Sequence, residues 1–151
     1  MLRSHKEKAD FNGLVNRLIP FIQGQSRFRR VEFVLDLEPN LPQVEVDPGQ
    51  IQQVLLNLYA NAADAMGQGR VATVTHFCKS QKRVVVKVED NGPGMSEKVR
   101  DRIFDSGFTT KSTGHGLGLA VCRRIVENHN GEIEVTSESG QGTTFTLTFD
   151  A

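Results

Sequence analysis

Three segments of the chain carry apolar residues at the spacing of amphipathic helices. They cover residues 10–25, 48–66 and 119–129. Pro20 predicts a kink or break in the first helix. Asp47 is a candidate N-cap for the second, because its carboxylate can accept hydrogen bonds from the free amides of the first turn. The second helix is expected to bury Ile51, Val54, Leu55, Leu58, Ala62 and Ala65.

Five other segments alternate apolar and polar residues or are rich in β-branched residues, as strands are. They are residues 31–37, 71–77, 83–89, 132–138 and 144–149. A polar turn at 79–82 separates two of them and predicts an antiparallel hairpin. The order of helices and strands predicts an α/β domain with one mixed, largely antiparallel sheet that helices cover on one face.

A length of 151 residues suits one domain with its own core. The 18 basic and 18 acidic side chains balance, so no net charge attracts the protein to nucleic acid or to an anionic membrane. No apolar run is long enough to span a bilayer, and the first six residues lack the core of a secretion signal, which predicts a cytoplasmic location. Residues 1–9 are expected to be a linker or tail, and residues 10–151 the domain.

The two cysteines, Cys78 and Cys122, lie among apolar neighbours. This setting is typical of buried, reduced thiols in an intracellular protein. It does not favour a disulfide framework or a metal cluster.

The predicted second helix carries Gln53, Asn57 and Asn61 four residues apart along one edge of its apolar face. Asparagine is a mediocre helix former, so the pair needs either solvent or a task. A neutral amide oxygen suits Mg²⁺, which takes a few protein oxygens together with waters and substrate phosphates. On this feature alone, a solvated helix flank is the stronger interpretation.

A predicted strand delivers Asp90 directly into a turn that contains Gly92 and Gly94. A carboxylate there can accept hydrogen bonds from an exocyclic amino group such as that of adenine, and the glycines let a flat ring approach the backbone. The alternative is an ordinary Asx turn that caps the next helix.

The long irregular stretch at 105–114 is a candidate lid, because loops of this length in compact domains are usually functional or disordered. Glycines then lead into the N-terminus of the helix at Leu119, where free amides favour phosphate oxygens. Lys111 adds a positive charge, and nearby hydroxyls add donors. Neither a P-loop nor a Rossmann fingerprint is present. A purely flexible loop is the alternative.

Five motifs, taken in order, resemble the ATP-binding domain of sensor histidine kinases. They are Asn57-Leu58-Tyr59-Ala60-Asn61-Ala62, Asp90-Asn91-Gly92-Pro93-Gly94, the segment from Ile103 to Lys111, Gly114-His115-Gly116-Leu117-Gly118-Leu119, and Gly140-Gln141-Gly142-Thr143. The resemblance covers roughly residues 10 to 150. It implies the Bergerat-type α/β sandwich of the GHKL superfamily.

The resemblance also implies a role for each matching residue. Asn61 would be the principal Mg²⁺ ligand, with Asn57 beside it, and both would act in catalysis with Lys111. Asp90 would bind the adenine amino group directly and through a water that Thr143 supports. The remaining nucleotide contacts would come from Gly92, Gly94, Phe108, Thr109, Thr110, His115, Gly116, Leu117 and Gly118. Phe104 would anchor the lid together with Phe108.

The implied activity is transfer of the γ-phosphoryl group of Mg-ATP to a histidine, with ADP released. No histidine of the chain lies in a phosphoacceptor motif, so the acceptor is expected on dimerisation helices elsewhere in a parent protein, which is compatible with a membrane-anchored parent. A response regulator would be an indirect partner, and the isolated domain is expected to be monomeric. Many relatives carry a Glu-Pro-Phe type sequence where this chain has Asp105-Ser106-Gly107-Phe108.

Two other functions fit the same resemblance. One is a standalone relative such as an anti-sigma-factor serine kinase. The other is an ATP-gated dimerisation module like those of topoisomerases and a chaperone, against which the tight spacing from Phe108 to Gly118 argues.

Overall fold

The structure is a computed structural model that describes residues 4–105 and 118–151. The strands are β1 (Glu7–Ala9), β2 (Val31–Leu37), β3 (Val44–Val46), β4 (Gly69–Cys78), β5 (Arg83–Asp90), β6 (Glu132–Glu138) and β7 (Gly142–Asp150). The α-helices are α1 (Phe11–Gln23), α2 (Pro48–Met66), α3 (Glu97–Arg100) and α4 (Leu119–Asn128), and a short 3₁₀ helix spans Ser26–Phe28.

The main sheet has five strands in the order β2-β4-β5-β7-β6. The β2–β4 pair is parallel, and the other pairs are antiparallel. This topology confirms the mixed, largely antiparallel sheet, and the β4–β5 pair confirms the predicted hairpin. The short strands β1 and β3 form a separate two-stranded antiparallel sheet.

Residues that pair across the strands place the core on one face of the sheet. Val84, Val86 and Val88 of β5 face Phe149, Leu147 and Phe145 of β7, and all six are buried. The intervening residues, such as Lys87 and Thr146, lie on the opposite face. Helices α1, α2 and α4 cover the apolar face, as the α/β sandwich requires. The burial of these side chains is the main source of stability.

Capping side chains set the starts of the first two long helices. Asp10 accepts a hydrogen bond from the amide of Asn12, and Asp47 accepts one from the amide of Gln50. Helix α1 continues through Pro20 to Gln23, so the proline does not end it. Burial on α2 differs from the prediction at one position, because Ala65 is exposed.

The buried arc of α2 is wider upstream of Ala65, because the helix packs against the sheet and against α1 and α4. Tyr59, Ala60 and Ala63 are therefore also buried. The Tyr59 hydroxyl lies 2.7 Å from Thr73 Oγ1, which satisfies both buried groups. Burial raises the pKa of Tyr59 to about 12.

The segment before Asp10 packs on the domain. Strand β1 pairs with β3, the amide of His5 donates to Asp47 Oδ2 at 2.8 Å, and Lys6 Nζ donates to the carbonyl of Asn128 at 2.7 Å. The assignment of residues 1–9 to a linker or tail stays a prediction. The three-residue strand β3 was not predicted, because Val-Glu-Val is too short to give a periodic signal.

None of the helices within residues 4–105 and 118–151 is long and apolar enough to cross a membrane.

Candidate nucleotide-binding site

The C-terminal ends of α2 and β5 meet at one edge of the sheet. Side-chain atoms of Met66, the last residue of α2, lie 2.8 Å from the position that a Cβ would take on Gly92. Asp90 Oδ1 lies 3.0 Å from the same position. A side chain on Gly92 would therefore crowd Met66 and Asp90. Because glycine has no side chain, both residues can lie this close to it.

Asp90 belongs to the covered face of the sheet, where β5 and β7 contribute apolar residues to the rows above it. Its cross-strand neighbours in this row are Val71 on β4, Thr143 on β7 and, beyond Thr143, Ser137 on β6. The Asp90 carboxylate accepts a hydrogen bond from the amide of Gly92 at 2.9 Å. Asp90 is thus the one charged residue in this row, beside the buried hydroxyl groups of Thr143 and Ser137.

Burial raises the pKa of Asp90 above the ordinary value for an aspartate, although backbone N–H groups of Gly92 and Thr143 act in the opposite direction. The carboxylate is therefore only partly compensated by the protein itself. A ligand that donates hydrogen bonds to it would complete the compensation.

The turn after Asp90 interlocks with the β6–β7 turn. Gly94 has a φ of 73°, and a Cβ there would overlap the carbonyl oxygen of Glu138. Gly142 has a φ of 93°, and a Cβ there would overlap the carbonyl oxygen of Asp90. The amide of Gly140 donates to the carbonyl of Pro93 at 2.6 Å. The glycines of both motifs thus allow the two backbones to touch, whereas contact of Gly92 and Gly94 with a base stays a prediction.

A buried hydroxyl ties these two turns together. Ser137 Oγ accepts the amide of Met95 at 2.8 Å and donates to the carbonyl of Gly142 at 3.0 Å. It also lies 2.8 Å from Thr143 Oγ1. Ser137 and Thr143 are 6% and 8% exposed, so this network is shielded from solvent.

Asn57 and Asn61 are half-buried on α2, and Asn57 lies on the side that meets α4. The side-chain amide of Asn57 donates to Cys122 Sγ at 3.1 Å. This contact uses the amide nitrogen, so the amide oxygen is the atom that a cation can use. Neutral oxygens of this kind fit the preference of Mg²⁺ for hard ligands completed by phosphates and water. Coordination by Asn57 and Asn61 stays a prediction.

Helix α4 begins at Leu119 with Gly118 as its N-cap, and no side chain caps it. In contrast, the other α-helices within the described ranges have a capping Asp or Ser side chain. The free amides of α4 suit an anionic ligand. Most of the candidate lid lies outside the described residues. The remaining predicted nucleotide contacts also lie there, namely Phe108, Thr109, Thr110, Lys111, His115, Gly116 and Leu117.

Phe104 precedes the predicted lid and packs on the domain. Its ring makes an edge-to-face contact with Phe145 at 6.4 Å, and the Arg123 guanidinium lies 5.3 Å from its centroid. The neighbouring Ile103 is buried. These contacts join this segment to β7 and α4, and the role of Phe104 as an anchor for the lid stays a prediction.

His129 is used structurally. Its Nδ1 lies 2.7 Å from the carbonyl of Ile125, and its Nε2 accepts the amide of Asp47 at 3.0 Å. Because Nε2 is an acceptor, the neutral ring carries its hydrogen on Nδ1 and donates it to Ile125. The ring therefore links the end of α4 to the start of α2 and is unsuited to accept a phosphoryl group.

The two cysteines differ in burial and should differ in reactivity. Both are free, as expected, but Cys78 is only half-buried, which corrects the prediction of two buried thiols. The Ser80 hydroxyl, helped by nearby backbone amides, lowers the pKa of Cys78, whereas burial raises the pKa of Cys122 to about 11.

Iodoacetamide should therefore label Cys78 in the folded protein and leave Cys122 unmodified, because the thiolate is the reactive form. Peptide mass spectrometry would locate the label. Unfolding in guanidinium should expose Cys122 and serves as the positive control. Equal labelling of both thiols in the native protein would contradict the packing of Cys122 between α2 and α4.

Three residues of this site were not predicted as site residues from the sequence: Met66, Cys122 and Ser137. Ser137 carried a usable signal, since it continues the inward-facing series Ile133 and Val135 on β6 as a polar residue. Met66 and Cys122 are apolar in character and look like ordinary core residues in the sequence.

Comparison with known proteins identifies the family. Residues 46–151 match the family model described as "Histidine kinase-, DNA gyrase B-, and HSP90-like ATPase". The chain belongs to this ATPase family. It is 41% identical over 141 residues to sensor histidine kinase ZraS of Escherichia coli K12, and the matched segment covers 93% of this chain and 30% of ZraS. It is 43% identical over 125 residues to the adaptive-response sensory kinase SasA of Parasynechococcus marenigrum, with 80% and 33% covered.

Solved structures agree with this family. The catalytic domain of histidine kinase ThkA superposes with a TM-score of 0.85 at 29% identity, covering 97% of this chain and 95% of that one. Full-length ShkA, solved in complex with AMPPNP, gives a TM-score of 0.84 at 28% identity, covering 98% and 31%. The chain is thus an ATP-binding catalytic domain of the sensor histidine kinase type. It spans about a third of the length of the curated relatives named above.

Proposed function

We propose that this domain binds Mg-ATP at the edge where α2, β5, the β6–β7 turn and α4 meet, and that it transfers the γ-phosphoryl group to a histidine elsewhere in its parent protein. The observation that carries the proposal is Asp90, a half-buried carboxylate on the covered face of the sheet, flanked by Gly92 and Thr143. An adenine amino group would supply the donors that this carboxylate lacks.

The residues around Asp90 divide the work of holding the nucleotide. Thr143 supports the adenine end, Asn57 and Asn61 on α2 would hold Mg²⁺, and the amides at the start of α4 would meet the phosphates. When bound, Mg²⁺ neutralises charge on the β- and γ-phosphates during transfer. Lys111 and the other residues between Phe108 and Leu117 are proposed to close over the triphosphate.

The proposed acceptor is a histidine on dimerisation helices of the parent protein. His129 is buried and hydrogen-bonded through both ring nitrogens, which excludes it as the acceptor. ZraS is about three times as long as the segment it shares with this chain. ThkA has been solved in complex with the response regulator TrrA, and a regulator of that kind is the proposed downstream partner here. Because ATP is its substrate, we place the domain in the cytoplasm, as a monomer when isolated.

Nucleotide binding is tested first by thermal unfolding of the 151-residue chain. Saturating ATP with Mg²⁺ should raise the melting temperature, since a ligand at 100 times its Kd stabilises by about 2.7 kcal/mol. ATP with EDTA should give a smaller rise, because the asparagine pair would lack its metal. A chain whose unfolding is indifferent to ATP, ADP and Mg²⁺ would refute the site.

Phosphotransfer is tested by mixing the domain with dimerisation helices of the parent protein and ATP labelled at the γ-phosphate. Acid-labile phosphate should appear on the helices, as a phosphohistidine requires. Acid-stable phosphate on a partner protein would favour the serine-kinase alternative. ATP-dependent self-association without transfer would favour the dimerisation module.

A further inference from the structure

The contacts of Ser137 can be satisfied in only one arrangement of hydrogens. A carbonyl has no hydrogen, so Ser137 Oγ must donate to Gly142, 3.0 Å away. A backbone amide cannot accept, so Ser137 Oγ must accept from Met95 at 2.8 Å. A serine hydroxyl has one hydrogen and two lone pairs. Its only hydrogen is therefore committed to Gly142.

The third contact of Ser137 then has a defined direction. Thr143 Oγ1 lies 2.8 Å from Ser137 Oγ, whose remaining capacity is one lone pair. Thr143 must be the donor in this pair. Its own hydrogen is consumed, and its hydroxyl oxygen can only accept hydrogen bonds from anything else in the site.

We propose that Ser137 is a specificity-determining residue that locks the Thr143 hydroxyl as an acceptor, so that the site selects a base with an amino group and rejects one with an oxo group at the same position. This inference rests on the proposed adenine nucleotide site. Ser137 acts through Thr143 and is a positioning residue, because its own hydroxyl is fully used within the protein.

The selectivity follows from two acceptors placed side by side. The Asp90 carboxylate accepts only, and Asp90 and Thr143 are cross-strand neighbours on the same face of the sheet. An amino group, directly or through a water, can donate to both. An oxo group would bring a third acceptor against them and leave them without donors, a loss that buried polar sites use to reject near-identical ligands.

The network is also largely buried and fully hydrogen-bonded. Ser137 and Thr143 are both buried, and no buried side-chain nitrogen or oxygen in the described part of the chain lacks a hydrogen-bond partner. The Thr143 hydrogen consequently has Ser137 Oγ as its acceptor within the protein. Removal of the Ser137 hydroxyl would take away its acceptor and free it to donate.

The test compares the affinity for ATP with that for inosine triphosphate, which carries an oxo group in place of the adenine amino group. Binding of each is measured with Mg²⁺ to the parent chain and to Ser137→Ala. The Kd for inosine triphosphate divided by the Kd for ATP should fall about tenfold in Ser137→Ala, because a freed Thr143 hydroxyl can donate to the oxo group. Equal weakening of both nucleotides, with the ratio unchanged, would show a purely structural role and overturn the proposal.

Thr136→Ala is the matched control. Thr136 is the preceding residue on β6, its side chain is exposed on the other face of the sheet, and the substitution removes a hydroxyl as Ser137→Ala does. Its Kd ratio should equal that of the parent. A comparable fall in this control would remove the support for a specific route through Thr143.

A double-mutant cycle tests that route directly. Thr143→Val should lower the ratio by itself, and adding Ser137→Ala to Thr143→Val should change it no further. Additive effects, or a Thr143→Val ratio equal to the parent value, would overturn the proposal. If Ser137→Ala does not fold, Ser137→Cys takes its place, since a thiol is a weak donor and acceptor and should also lower the ratio. Failure of the parent chain to bind ATP would instead refute the proposed function.

Discussion

Replacing Asp90 by alanine should remove about half or more of the rise in melting temperature that Mg-ATP, at about 100 times its Kd for the parent chain, gives to the parent chain. The carboxylate is the only charged group in its row of the covered face, between Val71 and Thr143. A hydrogen bond to a charged group is worth about 1.5–3 kcal/mol, so its loss should cost about 10- to 100-fold in affinity. Calorimetric titration and thermal unfolding would measure the two effects.

Glu89→Ala is the control, because Glu89 precedes Asp90 on β5 and lies on the opposite face of the sheet. It should keep the nucleotide-dependent shift. If Asp90→Ala retained full affinity for ATP, the adenine end would have to be placed elsewhere in the domain.

Thermal unfolding without nucleotide distinguishes loss of the nucleotide site from loss of the fold. The pKa of Asp90 is raised by burial, so the folded state holds the proton more tightly than the unfolded state. The contribution of Asp90 to the free energy of unfolding is favourable below its pKa in the unfolded state, and it is lost as the pH rises through its pKa in the folded state. At neutral pH the ionised carboxylate therefore costs stability, and Asp90→Ala without nucleotide should melt no lower than the parent on this account.

Gly94→Ala should disrupt both the fold at this edge and nucleotide binding. Gly94 has a φ of 73°, and a Cβ would overlap the Glu138 carbonyl oxygen, which belongs to the backbone and cannot move without shifting the β6–β7 turn. Left-handed backbone costs an alanine about 1 kcal/mol or more, and overpacking adds about 1–3 kcal/mol. Denaturant unfolding would give the total.

Gly140→Ala isolates the steric part of this loss. Gly140 also has a positive φ, 83°, but a Cβ there meets nothing within 4 Å. It should therefore show only the backbone cost and keep nucleotide binding. Equal stability losses in the two variants would mean that the contact between the turns contributes nothing.

Most of the fold followed from short-range patterns. The β4–β5 hairpin was predictable because β-branched runs on either side of a polar turn have few alternatives, and α2 because Asp47 and Pro48 define its start. The strand β3 and the half-buried Cys78 were not predictable. Strand β3 depends on its pairing with β1, which is distant in the sequence, whereas the exposure of Cys78 depends on its place at the end of β4, beside the β4–β5 turn.

For the candidate site, the order of motifs along the chain predicted which residues belong together, and the structure brings Asp90, Gly92, Gly94 and Thr143 to one edge of the sheet. The roles of these residues toward a nucleotide stay predictions. The residues that complete the site had no such signal. Cys122 meets Asn57 only because α4 packs on α2, and a thiol in an apolar stripe looks like core.

The sequence by itself therefore determined the long helices, the five strands of the main sheet and the family, and it predicted which residues meet a nucleotide, since each of these depends on periodicity or on motifs local to a few turns or strands. Only the tertiary structure decided why Gly94 must lack a side chain and why the Thr143 hydroxyl donates its hydrogen to Ser137. Those facts arise from backbone and hydroxyl groups on different strands that meet within about 3 Å, and hydrogen bonds have so short a reach that no pattern along the chain records them.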